Sequence, residues 1–170
     1  MNEKNTIIIF STAYLPFIGG AEVAIKEITD RVSYFQFVLV TVRMRRDLPK
    51  KERIGNVEVY RVGVGIPLLD KLLSPFLGAW QAYQFTRHTR VCLFWSMMVS
   101  YVTITPVLLK MFGFCRNVPF LLTLQEGDSP AHINKRWFGL ITFWWRVMLR
   151  RANHVQVISN FLDGMARAYG

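Results

Sequence analysis

The sequence predicts an α/β protein with a doubly wound, mainly parallel sheet and helices on both faces. Three observations lead there. Short runs of consecutive apolar, largely β-branched residues recur along the chain, most of them are separated by segments able to hold a helix, and the first is followed by a glycine turn that opens an amphipathic helix. Runs that are apolar at every position suit strands covered on both faces, and their alternation with helices argues for parallel pairing.

The first run, TIIIF at 6–10, gives way to TAYLPFIGGAEVAIKEITDRV at 12–32. Ala21, Ala24, Ile25, Ile28 and Val32 recur at spacings of three and four, which predicts a helix over 21–34 with Glu22, Lys26, Thr29 and Asp30 outward. Gly19 and Gly20 stand at its start. The first N–H groups of a helix lack partners and carry partial positive charge, and glycine lets an anionic group come close to them. A phosphate seat and a plain tight turn both fit these two residues.

FVLVTV (37–42) and VEVYRV (57–62) supply the next strands. Between them RMRRDLPKKERIGN (43–56) is expected to be a basic, solvated loop in place of a helix. The pattern then predicts a helix over about 70–88, a strand VCLFW (91–95), a helix over about 99–112, and a strand PFLLTL (119–124). A helix over 133–151, a strand HVQVIS (154–159) and a helix from 160 onward complete the chain. Residues 91–109 carry no charge and are long enough to suggest a membrane span. Ser96, Ser100, Thr103, Thr105 and Pro106 dilute that run, which divides more naturally into a buried strand, a turn near 97–100 and a helix ending before Gly113.

At 170 residues, 52% hydrophobic and 14% aromatic, the chain can bury one core and is too short for two large domains, so 1–170 reads as a single domain. Cys92 and Cys115 sit among apolar residues without His or Cys at metal spacing, which supports neither a disulfide framework nor a zinc site and suits a reducing cytoplasm. The N-terminus lacks the pattern of a secretory signal. A net charge of +10 implies attraction to something anionic: nucleic acid, lipid headgroups or phosphorylated substrates.

In an open parallel sheet, ligands gather outside the carboxyl ends of the strands. That rule nominates Ser11–Gly20, Ser96–Ser100, Gln125–Ser129, and Ser159 with Asn160. In LTLQEGDSP (122–130), Glu126 and Asp128 follow a buried strand directly. They suit a helix-capping turn with Pro130 at the first helical position, and they also suit holding sugar hydroxyls or acid/base work. A metal role has less support, because no His or further carboxylate lies at useful spacing.

FSTAYLPFIGGAE after the first strand, LLTLQEGDSP after the fifth and ANHVQVISNFL after a helix together resemble the N-terminal half of a GT-B glycosyltransferase of the family 4 kind. The order and spacing match over nearly the whole chain, and Pro16, Gly19, Gly20 and Glu22 form the family's Pro-x-x-Gly-Gly-x-Glu element. The resemblance implies a Rossmann-like domain facing a second one across a cleft, a nucleotide-sugar donor, a glycan or lipid-linked acceptor, retention of anomeric configuration, and no required metal or other cofactor. It implies that Gly19 and Gly20 contact the donor's phosphates, and that Glu22, Gln125, Glu126, Asp128 and Ser159 line the cleft on the acceptor side. Nucleic acid is not an expected partner. Many relatives carry a His where this chain has Gln125, which can hydrogen-bond a sugar but cannot act as a base. The second domain, which supplies most donor contacts in relatives, is expected as a separate C-terminal domain or subunit, so the chain alone is expected to be inactive.

The other functional class open to this sequence is a non-catalytic basic domain that binds an anionic polymer or membrane. Trp137, Leu140, Ile141, Trp144, Trp145 and Met148 recur at helical spacing with Arg146 and Arg150 opposite. That pattern suits an interfacial helix on the inner face of a cell membrane and equally a helix covering the sheet. A cytoplasmic location, peripheral on the membrane, is the expectation that follows.

Overall fold

Thr6–Phe10 forms β1, and all five of its residues are buried. In β2 (Gln36–Val42) six of seven are buried. Burial at every position is what consecutive apolar residues call for in a strand covered on both faces. The computed structural model describes residues 5–125 and 140–170. β4 (Val57–Val62), β5 (Val91–Met97), β6 (Phe120–Leu124) and β7 (His154–Val157) complete a parallel set, and β3 (Lys51–Ile54) adds an antiparallel edge. The order is β3-β4-β2-β1-β5-β6-β7. Counting parallel strands alone it reads 3-2-1-4-5-6, the doubly wound arrangement whose direction reverses between β1 and β5.

Ile8 and Phe10 of β1 join Val38, Val40, Phe94, Leu122 and Leu124 on one face, packed against α2 (Pro67–His88), α3 (Thr105–Met111), α4 (Leu140–Arg151) and α5 (Asn160–Tyr169). Ile7 and Ile9 join Phe37, Leu39, Trp95 and Met97 on the other, under Ala21 and Ile25 of α1 (Gly20–Arg31). Helices on both faces of a mostly parallel sheet are the architecture expected. Trp95 Nε1 donates to Thr123 Oγ1 at 2.8 Å, and Thr123 and Gln156 are hydrogen-bonded at 3.1 Å. This side-chain chain ties β5, β6 and β7 in register.

The structure departs from the sequence reading in several places. Residues 43–56 are not wholly loop: Lys51–Ile54 pairs with β4 as an edge strand with alternating exposure, so its charged residues can face water. Thr29, expected outward, is fully buried and donates to the Ile25 carbonyl at 2.9 Å, while Ile28 is exposed. The uncharged 91–109 run is β5, a turn, a short 3-10 helix at Val102–Ile104 and most of α3, and no helix among the described residues is long and apolar enough to cross a membrane.

Two helices turn unexpected faces outward. On α4, Trp145, Met148 and Leu149 are core residues, 2%, 0% and 8% exposed. Trp145 therefore cannot face a membrane: the apolar stripe of this helix is used up against β6, α3 and α5. Trp144 is half-buried in the same cluster, Arg146 and Arg150 are exposed, and Trp137 lies outside the described residues. On α2 the buried positions are Asp70, Ser74, Gly78 and Ala82, a row of small or polar residues four apart. A Cβ on Gly78 would lie 2.7 Å from Thr105 Oγ1 and 3.0 Å from Val102 Cγ2, so glycine is what allows the helix to sit this close. The leucines of α2, with Phe76 and Trp80, point away from the core, while Tyr83 and Phe85 pack against it.

Candidate active site

β1, β5, β6 and β7 run parallel, so Ser11, Met98, Gln125 and Ile158 follow one another along one edge of the sheet. Three strand spacings separate β1 from β7, about 14 Å. The break between β1 and β5 is bridged by a hydrogen bond between the Thr12 and Ser100 hydroxyls. Ser100 is held in turn: its N–H donates to Thr103 Oγ1 at 2.8 Å, and that hydroxyl lies 2.9 Å from the Ser100 carbonyl. Ser96 Oγ donates to the Thr103 carbonyl at 2.7 Å. Met98 leaves β5 with a φ of 67°, uncommon for a residue with a side chain, and its N–H donates to the Thr123 carbonyl at 2.8 Å. The turn after β5 is thus fixed to its neighbours on both sides.

The segment from Thr12 to Gly20 is anchored from beneath. Arg61 of β4 is 4% exposed; it donates to the Leu15 carbonyl at 2.7 Å and the Pro49 carbonyl at 3.2 Å, and is ion-paired with Glu52. Val42 N–H and Thr41 Oγ1 both donate to the Thr12 carbonyl, at 3.4 and 3.1 Å. Tyr14 is packed beside Ile25 and Trp95, and its hydroxyl finds no partner among the described residues. Burial, with a smaller contribution from the charge of Asp30, pushes its pKa up to about 12. The sequence reading did not single out Arg61 as a support of this segment; an arginine on the same alternating strand face as Val57 and Val59 is the signal that marks it.

Gly19 and Gly20 play different parts. Gly19 is the N-cap of α1, with φ −143° and no capping side chain, and a Cβ there would stand 2.6 Å from Glu22 Oε2. The Glu22 carboxylate therefore folds back over Gly19, as an acidic residue at the third helical position does. Gly20 is exposed, keeps an ordinary helical backbone, and a Cβ there would meet nothing within 4 Å among the described residues. Neither glycine has the left-handed φ that a strained turn would require. The N–H groups of Gly20, Ala21 and Glu22 take no protein partner among the described residues, and the first N–H bonded within the helix is that of Val23, to Gly19 at 3.1 Å. Those donors and the helix dipole open on the side of Gly20.

Gln125 follows β6 directly and is half-buried, while Glu126 and Asp128 lie outside the described residues. Ser159 is the N-cap of α5: its Oγ accepts the Leu162 N–H at 3.2 Å, so its hydroxyl is engaged in capping.

No family model and no curated protein matches the sequence. Solved structures do match the fold. A sucrose-phosphate synthase from Thermosynechococcus elongatus superposes with a TM-score of 0.73 at 12% identity, over 96% of this chain and 45% of its own. A shorter chain of the same synthase superposes at 0.64 and 15% identity, over 96% and 81%. An E. coli structure described as trehalose-6-phosphate, bound with UDP-2-fluoro glucose, superposes at 0.62 and 12% identity, over 97% and 42%. The fold is that of a GT-B glycosyltransferase domain. The chain spans less than half the length of two of these three structures. Identities of 12–15% carry the fold and no assignment of substrate.

Proposed function

We propose that this domain is the N-terminal, acceptor-side half of a retaining glycosyltransferase that works with a second, donor-binding domain. A nucleotide-sugar donor lies along the carboxyl ends of the strands, with its diphosphate and sugar at the start of α1 and the acceptor on the side of Gln125. The bond between the anomeric carbon and the diphosphate oxygen breaks with its electron pair going to that oxygen, a bond to an acceptor hydroxyl oxygen of a glycan or lipid-linked substrate forms, and the hydroxyl proton passes to the departing diphosphate. The N–H groups at Gly20–Glu22, without a partner among the described residues, meet the negative charge that grows on the departing diphosphate, the service a fixed dipole renders best in a transition state. Gln125 orients acceptor hydroxyls and takes no proton.

The observation that carries this reading is Gly20. It is an exposed glycine in the first turn of α1 with no left-handed backbone to satisfy and, among the described residues, no neighbour to clear, and it stands beside N–H groups that take no partner among those residues, so its missing side chain suits a close approach from outside. The test is turnover of the two-domain enzyme with Gly20→Val beside the melting temperature of the same variant. Lost turnover with an unchanged melting temperature supports the phosphate seat, and retained turnover removes it.

A further inference from the structure

The outward face of α2 carries Leu68, Leu69, Leu72, Leu73, Phe76, Leu77 and Trp80, seven large apolar side chains between 38% and 65% exposed. At 100° per residue they fill one half of the helix circumference, opposite the buried row Asp70, Ser74, Gly78 and Ala82. An apolar patch of this extent on a folded chain marks an interaction site. The inward face is already satisfied. Asp70 accepts the N–H groups of Val64, Gly65 and Ile66 at 2.9, 2.6 and 2.9 Å, which pins the helix start in this rotation.

The surroundings of the patch select its partner. From Lys71 to Gln125 the chain contains five Lys and Arg and no Asp or Glu. The acid nearest the stripe in sequence, Asp70, is buried and fully engaged. Arg46 lies against Gly65 at the start of α2. Toward the other end, Tyr83 packs 4.9 Å from Phe114, which with Met111 and Phe112 extends the exposed apolar surface. There Lys110, Met111, Arg116 and Arg151 line an open cleft of about 450 Å³. Among the described residues, Arg46, Arg116 and Arg151 have no carboxylate partner.

We infer that α2, with the Met111–Phe114 surface beside it, lies in the interface of an anionic lipid bilayer, its leucines and Trp80 among the acyl chains and its flanking cations on the headgroups. A helix lying in the membrane plane with an apolar face and Lys or Arg beside it has these features, and each cation near an anionic leaflet adds to the attraction. The inference rests on the exposed face of α2 and not on the sugar-transfer reading.

The experiment is vesicle co-sedimentation of the 170-residue chain with phosphatidylcholine alone and with phosphatidylcholine containing phosphatidylglycerol, at low and high salt. We expect binding to the phosphatidylglycerol vesicles at least about tenfold above neutral ones, weakened by salt. The variant Leu73→Ser/Phe76→Ser/Trp80→Ser should lose at least about tenfold of that binding. An Arg146→Gln/Arg150→Gln variant of α4 should stay within about twofold of the parent, far less than the acyl-chain contacts carry. Should the triple variant not fold, quenching of Trp80 by brominated lipids, read as the difference between the parent and Trp80→Phe, decides the same point. No binding to phosphatidylglycerol vesicles, equal binding by a folded triple variant, unquenched Trp80, or a parent dimer that the triple variant dissolves would each overturn the inference; the last would make a second copy the occupant.

Discussion

Replacing Gly20 separates the two meanings a glycine at a helix start can have. A Cβ at this position meets nothing within 4 Å among the described residues and the backbone is already helical. Gly20→Ala therefore removes unfolded-state freedom without native strain, a gain of about 0.4–1 kcal/mol. In a chain of 170 residues that raises the melting temperature by roughly 1–4 °C. Gly20→Val gives back part of this gain through the restricted rotamers of a β-branched residue, and should leave stability within about 0.5 kcal/mol of the parent. The same substitutions act oppositely on the donor. If valine keeps the diphosphate away from one N–H, a hydrogen bond to a charged group worth about 1.5–3 kcal/mol is lost. Donor affinity or turnover then falls by about 10- to 150-fold for valine, with alanine between valine and the parent. Melting temperature and steady-state kinetics of the two-domain enzyme measure both effects. A Gly20→Val enzyme that melts several degrees lower and loses activity only in proportion would refute the reasoning, because it would show that the turn needs glycine for itself.

Asp70→Ala should destabilise the domain by about 3 kcal/mol, since three loop N–H groups lose a charged acceptor; denaturant unfolding of the purified variant checks it, and an unchanged midpoint would show that the loop is held otherwise. Arg61→Ala should cost about 3–5 kcal/mol by leaving Glu52 without its buried partner and the Leu15 carbonyl without a donor. Tyr14 has a pKa raised to about 12 by burial, so its neutral form is favoured in the folded state. Its contribution is fully present below pH 10 and is lost between about pH 10 and 12, a fall of about 2–3 kcal/mol that Tyr14→Phe should remove from the alkaline unfolding profile. At neutral pH the same variant should be at least as stable as the parent, because the hydroxyl it deletes has no partner among the described residues.

β1, β2 and β6 were legible because burial on both faces leaves no polar alternation to confuse with a helix, whereas β4 alternates and β7 is largely exposed, and both were legible from their valines alone. The strand β3 was not. At the sheet edge Lys51–Ile54 needs only backbone pairing on one side, so nothing in its composition distinguishes it from the basic loop around it. On α4 the stripe of Trp144, Trp145 and Met148 has the periodicity of a membrane helix and of a core helix alike. Packing against the sheet resolved it for the core. The opposite holds for α2, where periodicity would turn the leucines inward. Gly78 against Thr105 and the Asp70 cap instead draw the small face in. The glycine turn was located correctly from its residues, but unusual backbone angles had no part in it; the open space around Gly20 among the described residues is a property of the fold that no residue of the turn announces.

The most direct measurement of the central claim is the amide NMR spectrum of the 170-residue chain titrated with inorganic diphosphate and with nucleotide-sugars. The account predicts that the resonances of Gly20, Ala21 and Glu22 move first and saturably, and that Gly20→Val abolishes the shifts while the rest of the spectrum stays dispersed. Amides at the start of α1 that stay still while others respond, or that move equally in the Gly20→Val chain, would contradict it.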